Sequence, residues 1–266
     1  MSLKIIKWPE FLKSDATKKC AITIGVFDGV HKGHQALIEC IVKRGPNPTV
    51  ITFSENPKKV ISGSFEGDLY SLKQKLEIFE SLGVREVVLI DFSYDFSKLK
   101  GRDFLNLLES SGKMAFLAIG SNFRCGRAQD TSADLIREMN FSKGIPTELI
   151  PPVADSPAGN ELVSSSRVRS AVVSGNLELA AALLGRRFCL DLSDITPLYS
   201  QAANMRNKRE SRKVYIYDLR SVQRIIPANG LYDVLKHPGR VRSILTAEDG
   251  KVFIPQKADS IEFGNH

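Results

Sequence analysis

Between residues 20 and 185 the apolar positions alternate between short continuous runs and longer stretches with a helical period. The runs at 21–25, 48–53, 86–92, 114–120 and 146–150 are rich in Ile, Val, Leu, Phe and Ala. They read as strands buried on both faces. Helical spacing fills the intervals: 34–43, 71–82 with a stripe of Leu72, Leu76 and Phe79, a segment around Phe104, Leu105 and Leu108, and 132–139. This alternation predicts the α/β class, a doubly wound parallel sheet with helices on both faces. Such sheets bind ligands beyond the carboxyl ends of their strands. The loops to inspect are therefore 25–34, 54–64, 93–102, 121–131 and 151–166.

Two further helices are predicted at 166–174 and 177–184, parted by Gly175 and Asn176 and stopped by Gly185. The texture then changes. Residues 191–210 are polar, and Arg206, Lys208, Arg209, Arg212 and Lys213 face a single acid, Glu210. This stretch reads as a linker or mobile loop. Short strand patterns follow at 213–219, 231–235, 241–246 and 251–254, separated by turn residues at 227–230 and 248–250. They predict a small all-β unit. The expected domains are 1–186 and 187–266.

Composition narrows the class without changing it. With 42% apolar and 25% charged residues in 266, the chain can bury a large core. A formal charge of +7 suits anionic ligands such as nucleotides and does not demand nucleic acid. The first ten residues carry charges and Pro9 where a secretion signal needs an apolar run, and no run is long enough to span a membrane, so a cytoplasmic protein is expected. Cys20, Cys40, Cys125 and Cys189 lie far apart with no C-x-x-C, and read as reduced structural thiols. His237 and His266 have no neighbours at metal-ligand spacing.

The candidate chemistry begins where the first predicted strand ends. Residues 21–34 read A-I-T-I-G-V-F-D-G-V-H-K-G-H. Gly25 and Gly29 bracket a turn holding Phe27 and Asp28, and His31 and His34 follow at i, i+3 with Gly33 between them. The pattern places two imidazoles on the first turn of a helix, whose unpaired N–H groups favour phosphate. Donors fixed there can stabilise charge that builds on an attacked phosphorus, and Gly33 lets the backbone approach. A second motif, Ser164-Ser165-Ser166-Arg167-Val168-Arg169, puts three hydroxyls before a helix, with Arg169 at i+3 from Ser166. The hydroxyls can cap the helix and donate to phosphate, and the guanidinium suits a departing pyrophosphate. A third, directly after a strand, holds Asn122, Phe123 and Arg124. Asn122 pairs a donor with an acceptor for a base or flavin edge, and Phe123 supplies an aromatic wall. A fourth, Thr52-Phe53-Ser54-Glu55-Asn56-Pro57, borders the same crevice after the second predicted strand.

In this order the four motifs resemble the bacterial bifunctional riboflavin kinase/FMN adenylyltransferase (FAD synthetase) family, over about residues 21–185. The specific part is G-x-F-D-G-V-H-x-G-H with a later S-S-[ST]-x-[IV]-R. The resemblance implies a Rossmann-like nucleotidyltransferase domain that transfers AMP from ATP to FMN. It implies that His31 and His34 serve the triphosphate, with Gly25, Phe27, Asp28, Gly33 and Ser164 lining the ATP site. Ser165, Ser166 and Arg169 would meet the phosphates and magnesium, and Phe53, Asn56, Pro57, Asn122, Phe123 and Arg124 would form the FMN pocket.

The chain departs from the family pattern in places. Ser54-Glu55-Asn56-Pro57 stands where the family has x-P-H-P, so a histidine and a proline are missing. Cys125 replaces a usual phenylalanine, and a glycine expected shortly after is absent at Ala128 and Gln129. The family's kinase β-barrel carries G-F-P-T-A-N, which this sequence lacks; residues 227–232 resemble a later barrel turn. The expectation is a small reduced β-barrel-like C-terminal domain without riboflavin kinase activity. Two alternatives stand beside this reading: an H-x-G-H nucleotidyltransferase acting on another phosphate acceptor, and a flavin- or RNA-binding protein without catalysis.

Overall fold

The computed structural model describes residues 2–61, 65–155, 161–203, 211–237 and 240–264. By internal contacts the chain divides into two compact units: Met1–Phe65 with Leu72–Val163, and Glu66–Ser71 with Ser164–His266. The line at Val163/Ser164 falls ahead of the 186/187 division expected from sequence texture.

Unit 1 begins with β1 (Lys4–Lys7), α1 (Trp8–Lys13), β2 (Cys20–Ile24), α2 (Lys32–Arg44), β3 (Pro48–Phe53) and α3 (Lys58–Ile61). It continues with α4 (Leu72–Ser81), β4 (Glu86–Ile90), α5 (Tyr94–Ser97), α6 (Gly101–Ser110) and β5 (Met114–Gly120). The short pair β6 (Arg124–Cys125) and β7 (Thr131–Ser132), then α7 (Ala133–Phe141) and β8 (Thr147–Ile150), complete it. Six strands form one sheet in the order β1-β4-β3-β2-β5-β8, every neighbour parallel.

Alternate residues of the strands point to opposite faces, and each face is covered. Ile22, Ile24, Ile51, Val88, Leu117 and Ile119 pack with Trp8, Phe104 and Ile136 from α1, α6 and α7. Ala21, Val50, Val87 and Ala118 pack with Ile38, Ile41 and Phe79 from α2 and α4. The doubly wound sheet read from the sequence is therefore present. Its strand order reverses at β2, which has β3 on one side and β5 on the other, and a ligand crevice belongs at that switch point. The sequence reading missed β1, an edge strand of Lys-Ile-Ile-Lys whose first two and last residues are exposed. A charged edge strand carries no buried-strand pattern to detect. Lys4 pairs with Glu86 at 2.5 Å and Lys7 with Asp91 at 2.8 Å.

Unit 2 contains α8 (Ser165–Val173), α9 (Leu177–Leu184), β9 (Cys189–Asp191), β10 (Leu198–Ala203), β11 (Ser211–Asp218), β12 (Gly230–His237), β13 (Val241–Glu248), β14 (Lys251–Ile254) and β15 (Ser260–Phe263). Gly185 ends α9 in the left-handed region at φ 71°, its N–H bonded to the Ala181 carbonyl. The seven strands form one antiparallel sheet in the order β10-β11-β14-β13-β12-β15-β9. One face buries Tyr217, Val234, Leu245, Val252, Ile254, Ile261 and Phe263. The all-β expectation holds, with a correction: the polar stretch 191–210 is not a plain linker, because β10 lies inside it and β9 ends at its first residue. The basic run at 204–210 lies outside the described residues. Among the described residues no helix is long and apolar enough to cross a membrane.

Candidate functional site

The turn between β2 and α2 carries the two histidines. Three of its residues have positive φ: Phe27 at 53°, Gly29 at 76° and Val30 at 42°. For a β-branched residue such as Val30 this is a true backbone outlier. The surroundings hold it in place. The Val26 carbonyl accepts from Thr52 Oγ1 at 3.2 Å and from Lys75 Nζ at 3.4 Å. The Val30 carbonyl accepts from Gln35 Nε2 at 2.9 Å. Phe27 is fully buried and meets Phe79 edge-on at 5.6 Å.

This kinked turn delivers His31 as the N-cap residue of α2 and His34 one turn on. Their rings stack at 3.7 Å between centroids and 19° between planes. Phe27 supports His34 from the side at 5.1 Å. The glycines acquire roles the sequence could not assign. A Cβ on Gly25 would press on the Phe27 ring at 3.2 Å. One on Gly33 would sit 3.2 Å from Cε1 of His31 and 3.9 Å from the Val163 carbonyl oxygen. Both glycines therefore make room for rings. Phe27, expected at the ATP site, is fully buried, and its ring supports His34. Asp28 is also buried. Lys75 is a residue the sequence reading missed: on α4 it looks like the polar side of a helix, yet it is buried with its ammonium on the Val26 carbonyl.

Across the switch point, the loops after β3, β4 and β5 hold an aromatic cluster. Phe53 meets Phe92 edge-on at 5.5 Å, Phe92 meets Phe96 at 5.7 Å, and Phe123 packs against the same core. Phe53 and Phe123 were expected here; Phe92, read as the last residue of a buried strand, and Phe96, in a loop marked for inspection, were not singled out. Asn122 and Arg124 are exposed, and Arg124 Nε donates to the Gln129 carbonyl at 3.1 Å. Asn56 is buried and its Oδ1 accepts from the Lys58 N–H at 3.1 Å, an Asx turn leading into α3. Pro57 is buried beside it. Ala128 and Gln129 adopt φ of 53° and 58°, the conformation a glycine would take without strain. Burial pushes the Cys125 thiol up to about 11, which keeps it protonated and unreactive.

In unit 2, Ser164 caps α8: its Oγ accepts from the Arg167 N–H at 3.3 Å. Ser165 is half-buried and Ser166 exposed. Arg169 is buried, while Ser166, three residues before it, is exposed. Its Nη2 donates to the Gly67 carbonyl at 3.0 Å, and its Nε lies 3.6 Å from the Glu66 carboxylate. Val163, whose carbonyl faces Gly33, precedes Ser164 by one peptide bond.

A parallel doubly wound sheet with a strained helix-N-terminal turn and stacked imidazoles at its switch point defines a Rossmann-like domain of the nucleotidyltransferase class. Comparison with known proteins gives the particular family. The sequence model for FAD synthetase matches residues 13–167, more than half of the chain, and the chain belongs to the FAD synthetase family. It is 29% identical over 194 residues to the bifunctional riboflavin kinase/FMN adenylyltransferase of Escherichia coli (strain K12), covering 71% of this chain and 61% of that protein. It is 29% identical over 168 residues to a putative bifunctional riboflavin kinase/FMN adenylyltransferase of Geobacillus thermodenitrificans (strain NG80-2), covering 62% of this chain and 88% of that one. The chain thus spans 61% of the length of the Escherichia coli relative. Among solved structures, a macrolide-efflux protein from Streptococcus pneumoniae shares the fold at a TM-score of 0.74 and 20% identity, over 99% of this chain and 89% of that one.

Proposed function

We propose that this chain transfers AMP from ATP to FMN, forming FAD and pyrophosphate. The observation that carries the reading is the stacked His31/His34 pair, held by a strained turn at the switch point of the sheet. Backbone strain persists only where the surroundings over-determine it, and it concentrates at functional turns. In the proposed reaction a phosphate oxygen of FMN attacks the α-phosphorus of ATP in line. The bond from that phosphorus to the bridging oxygen breaks, and its electron pair leaves with pyrophosphate. His31 and His34 donate to the phosphate oxygens as charge moves across them, and the α2 N-terminus adds its dipole. Ser164, Ser165, Ser166 and Arg169 hold the departing phosphates, so the catalytic region runs on to residue 186. Asn122 and Arg124 meet the polar edge of the flavin, while Phe53, Phe92, Phe96 and Phe123 offer it aromatic surface.

Magnesium enters this reading with the nucleotide. Among the described residues no group of three His, Cys, Asp or Glu side chains is placed to hold a metal ion. The Ser165 and Ser166 hydroxyls would supply oxygen donors near an ion that arrives on the triphosphate. The ion would neutralise phosphate charge. The cytoplasm, which supplies ATP, is the proposed location. The β unit, without the G-F-P-T-A-N string, is proposed not to phosphorylate riboflavin.

The test is to incubate the pure chain with magnesium-ATP and either FMN or riboflavin, then separate the flavins. FAD from FMN and no FMN from riboflavin is the expected result. Failure to form FAD rejects the reading, and FMN formed from riboflavin rejects its second clause.

A further inference from the structure

Six residues of the N-terminal half are built into unit 2. The chain leaves unit 1 after Phe65, contributes Glu66–Ser71 to unit 2, and returns at Leu72. This strap is anchored along its length. The Asp68 N–H donates to the Gln223 carbonyl at 2.8 Å, and the Ile225 N–H donates back to the Asp68 carbonyl at 3.0 Å, a single parallel bridge. Leu69 and Tyr70 are buried. The Tyr70 ring stacks on Phe188 at 5.9 Å, and the Arg186 guanidinium lies 4.9 Å from its centroid. Ser71 Oγ donates to Asp191 Oδ2 at 2.7 Å. Arg224, whose side chain is 5% exposed, bonds the Asp191 carbonyl and grips Asp194 with both terminal nitrogens. Gly67 is obligatory: at φ +119° it lies against Gln223, whose carbonyl oxygen would be 2.9 Å from an added Cβ.

The strap ends on Arg169. The Gly67 carbonyl takes one guanidinium nitrogen and the Glu66 carboxylate faces another. One hydrogen bond, to the Gly67 carbonyl, and one facing carboxylate, Glu66 at 3.6 Å, come from adjacent residues of the strap and set the place of the guanidinium. We propose that the β unit serves the transfer reaction as a holder for Arg169. In it, Arg224 and Ser71 are positioning residues that act through the strap on the guanidinium meeting the phosphates. The inference rests on the role given above to Arg169, and it gives a β unit without the kinase string work in the other reaction.

Three variants of the full chain test it: Arg224→Gln, Ser71→Ala and Arg224→Lys. Thermal unfolding by circular dichroism identifies any variant that fails to fold, and Ser71→Ala carries the test if Arg224→Gln does. A displaced guanidinium should raise the KM for ATP by about 10- to 100-fold and leave the KM for FMN unchanged, since an error of about 1 Å in a positioned group has effects of this size. Arg224→Lys should recover part of the loss. In an Arg169→Lys background, Arg224→Gln should add less than about 2-fold, because both changes act on one element. Full multiplication of the two losses overturns the proposal, as does an ATP KM unmoved by both Arg224→Gln and Ser71→Ala. If the unaltered chain makes no FAD, the functional reading fails separately. Magnesium-ATP titration by calorimetry then decides the strap: weaker binding in Arg224→Gln supports it, and equal binding or none in either protein overturns it.

Discussion

The two motifs that resemble one phosphate site are built in opposite ways. The His31/His34 turn carries its rings on a short local motif, and its carbonyls are held from β3, α4 and α2. Its strain is held by Thr52, Lys75 and Gln35 on two neighbouring carbonyls, and its ring support comes from Phe27 four residues before His31. Arg169 is held by residues 102 positions away, on a strap that belongs to the other half of the sequence. The first arrangement lies wholly within unit 1, on the turn between β2 and α2 and its contacts from β3 and α4. The second exists only once the β unit has folded. A side chain can therefore be fixed either by a strained turn within its own unit or by distant anchors, and the two should fail differently when altered.

The largest expected effect tests whether the local turn supports itself. Phe27→Ala removes a fully buried ring that also braces His34. It should lower stability by about 3–5 kcal/mol, read by urea unfolding of the whole chain. A loss below about 1 kcal/mol would mean the turn does not depend on this ring. Next, His34→Ala should reduce turnover by about 100- to 1000-fold while FMN affinity changes far less, as expected for a donor used in the transition state. Equal losses in both would demote His34 to a binding residue.

The other side of the comparison is read through pH. Burial alone would raise the Asp191 carboxyl, but hydrogen bonds from Ser193 and Ser71 and the nearby Arg224 outweigh it and hold the group below the usual carboxylate range. Such a group stabilises the fold above its unfolded pKa, and the contribution fades as pH falls through the lower folded value. Asp191→Asn should thus lower stability at neutral pH by about 1.5–3 kcal/mol, with the difference from the parent closing below about pH 4. A difference independent of pH would break the assignment. The smallest effect is a gain. Ala128→Gly relieves a left-handed residue on an exposed loop and should stabilise by up to about 1 kcal/mol, measured as a rise in melting temperature. No rise would show that the loop carries no strain at that position.

Much of the fold is legible in the order of residues alone. The runs 48–53, 114–120 and 251–254 and the helix 177–184 match their observed elements end to end. Buried strands and amphipathic helices write their burial into short, regular patterns. The H-x-G-H turn is legible for the same reason, since all its parts lie within a few residues. The edge strand β1 and the strands β9, β10 and β15 are not. Each is short or sits in polar sequence, and its place depends on neighbours far along the chain.

The sequence by itself determined the parallel layers, the switch-point loop and the residue types available for phosphate chemistry, because burial and helix-start chemistry act over a few residues. Only the tertiary structure decided that the Phe27 ring braces His34, that Gly25 and Gly33 clear space for rings, and that Arg169 answers to Gly67 and Glu66. Those outcomes depend on which side chains meet across long separations, and no periodicity along the chain records a distance through space.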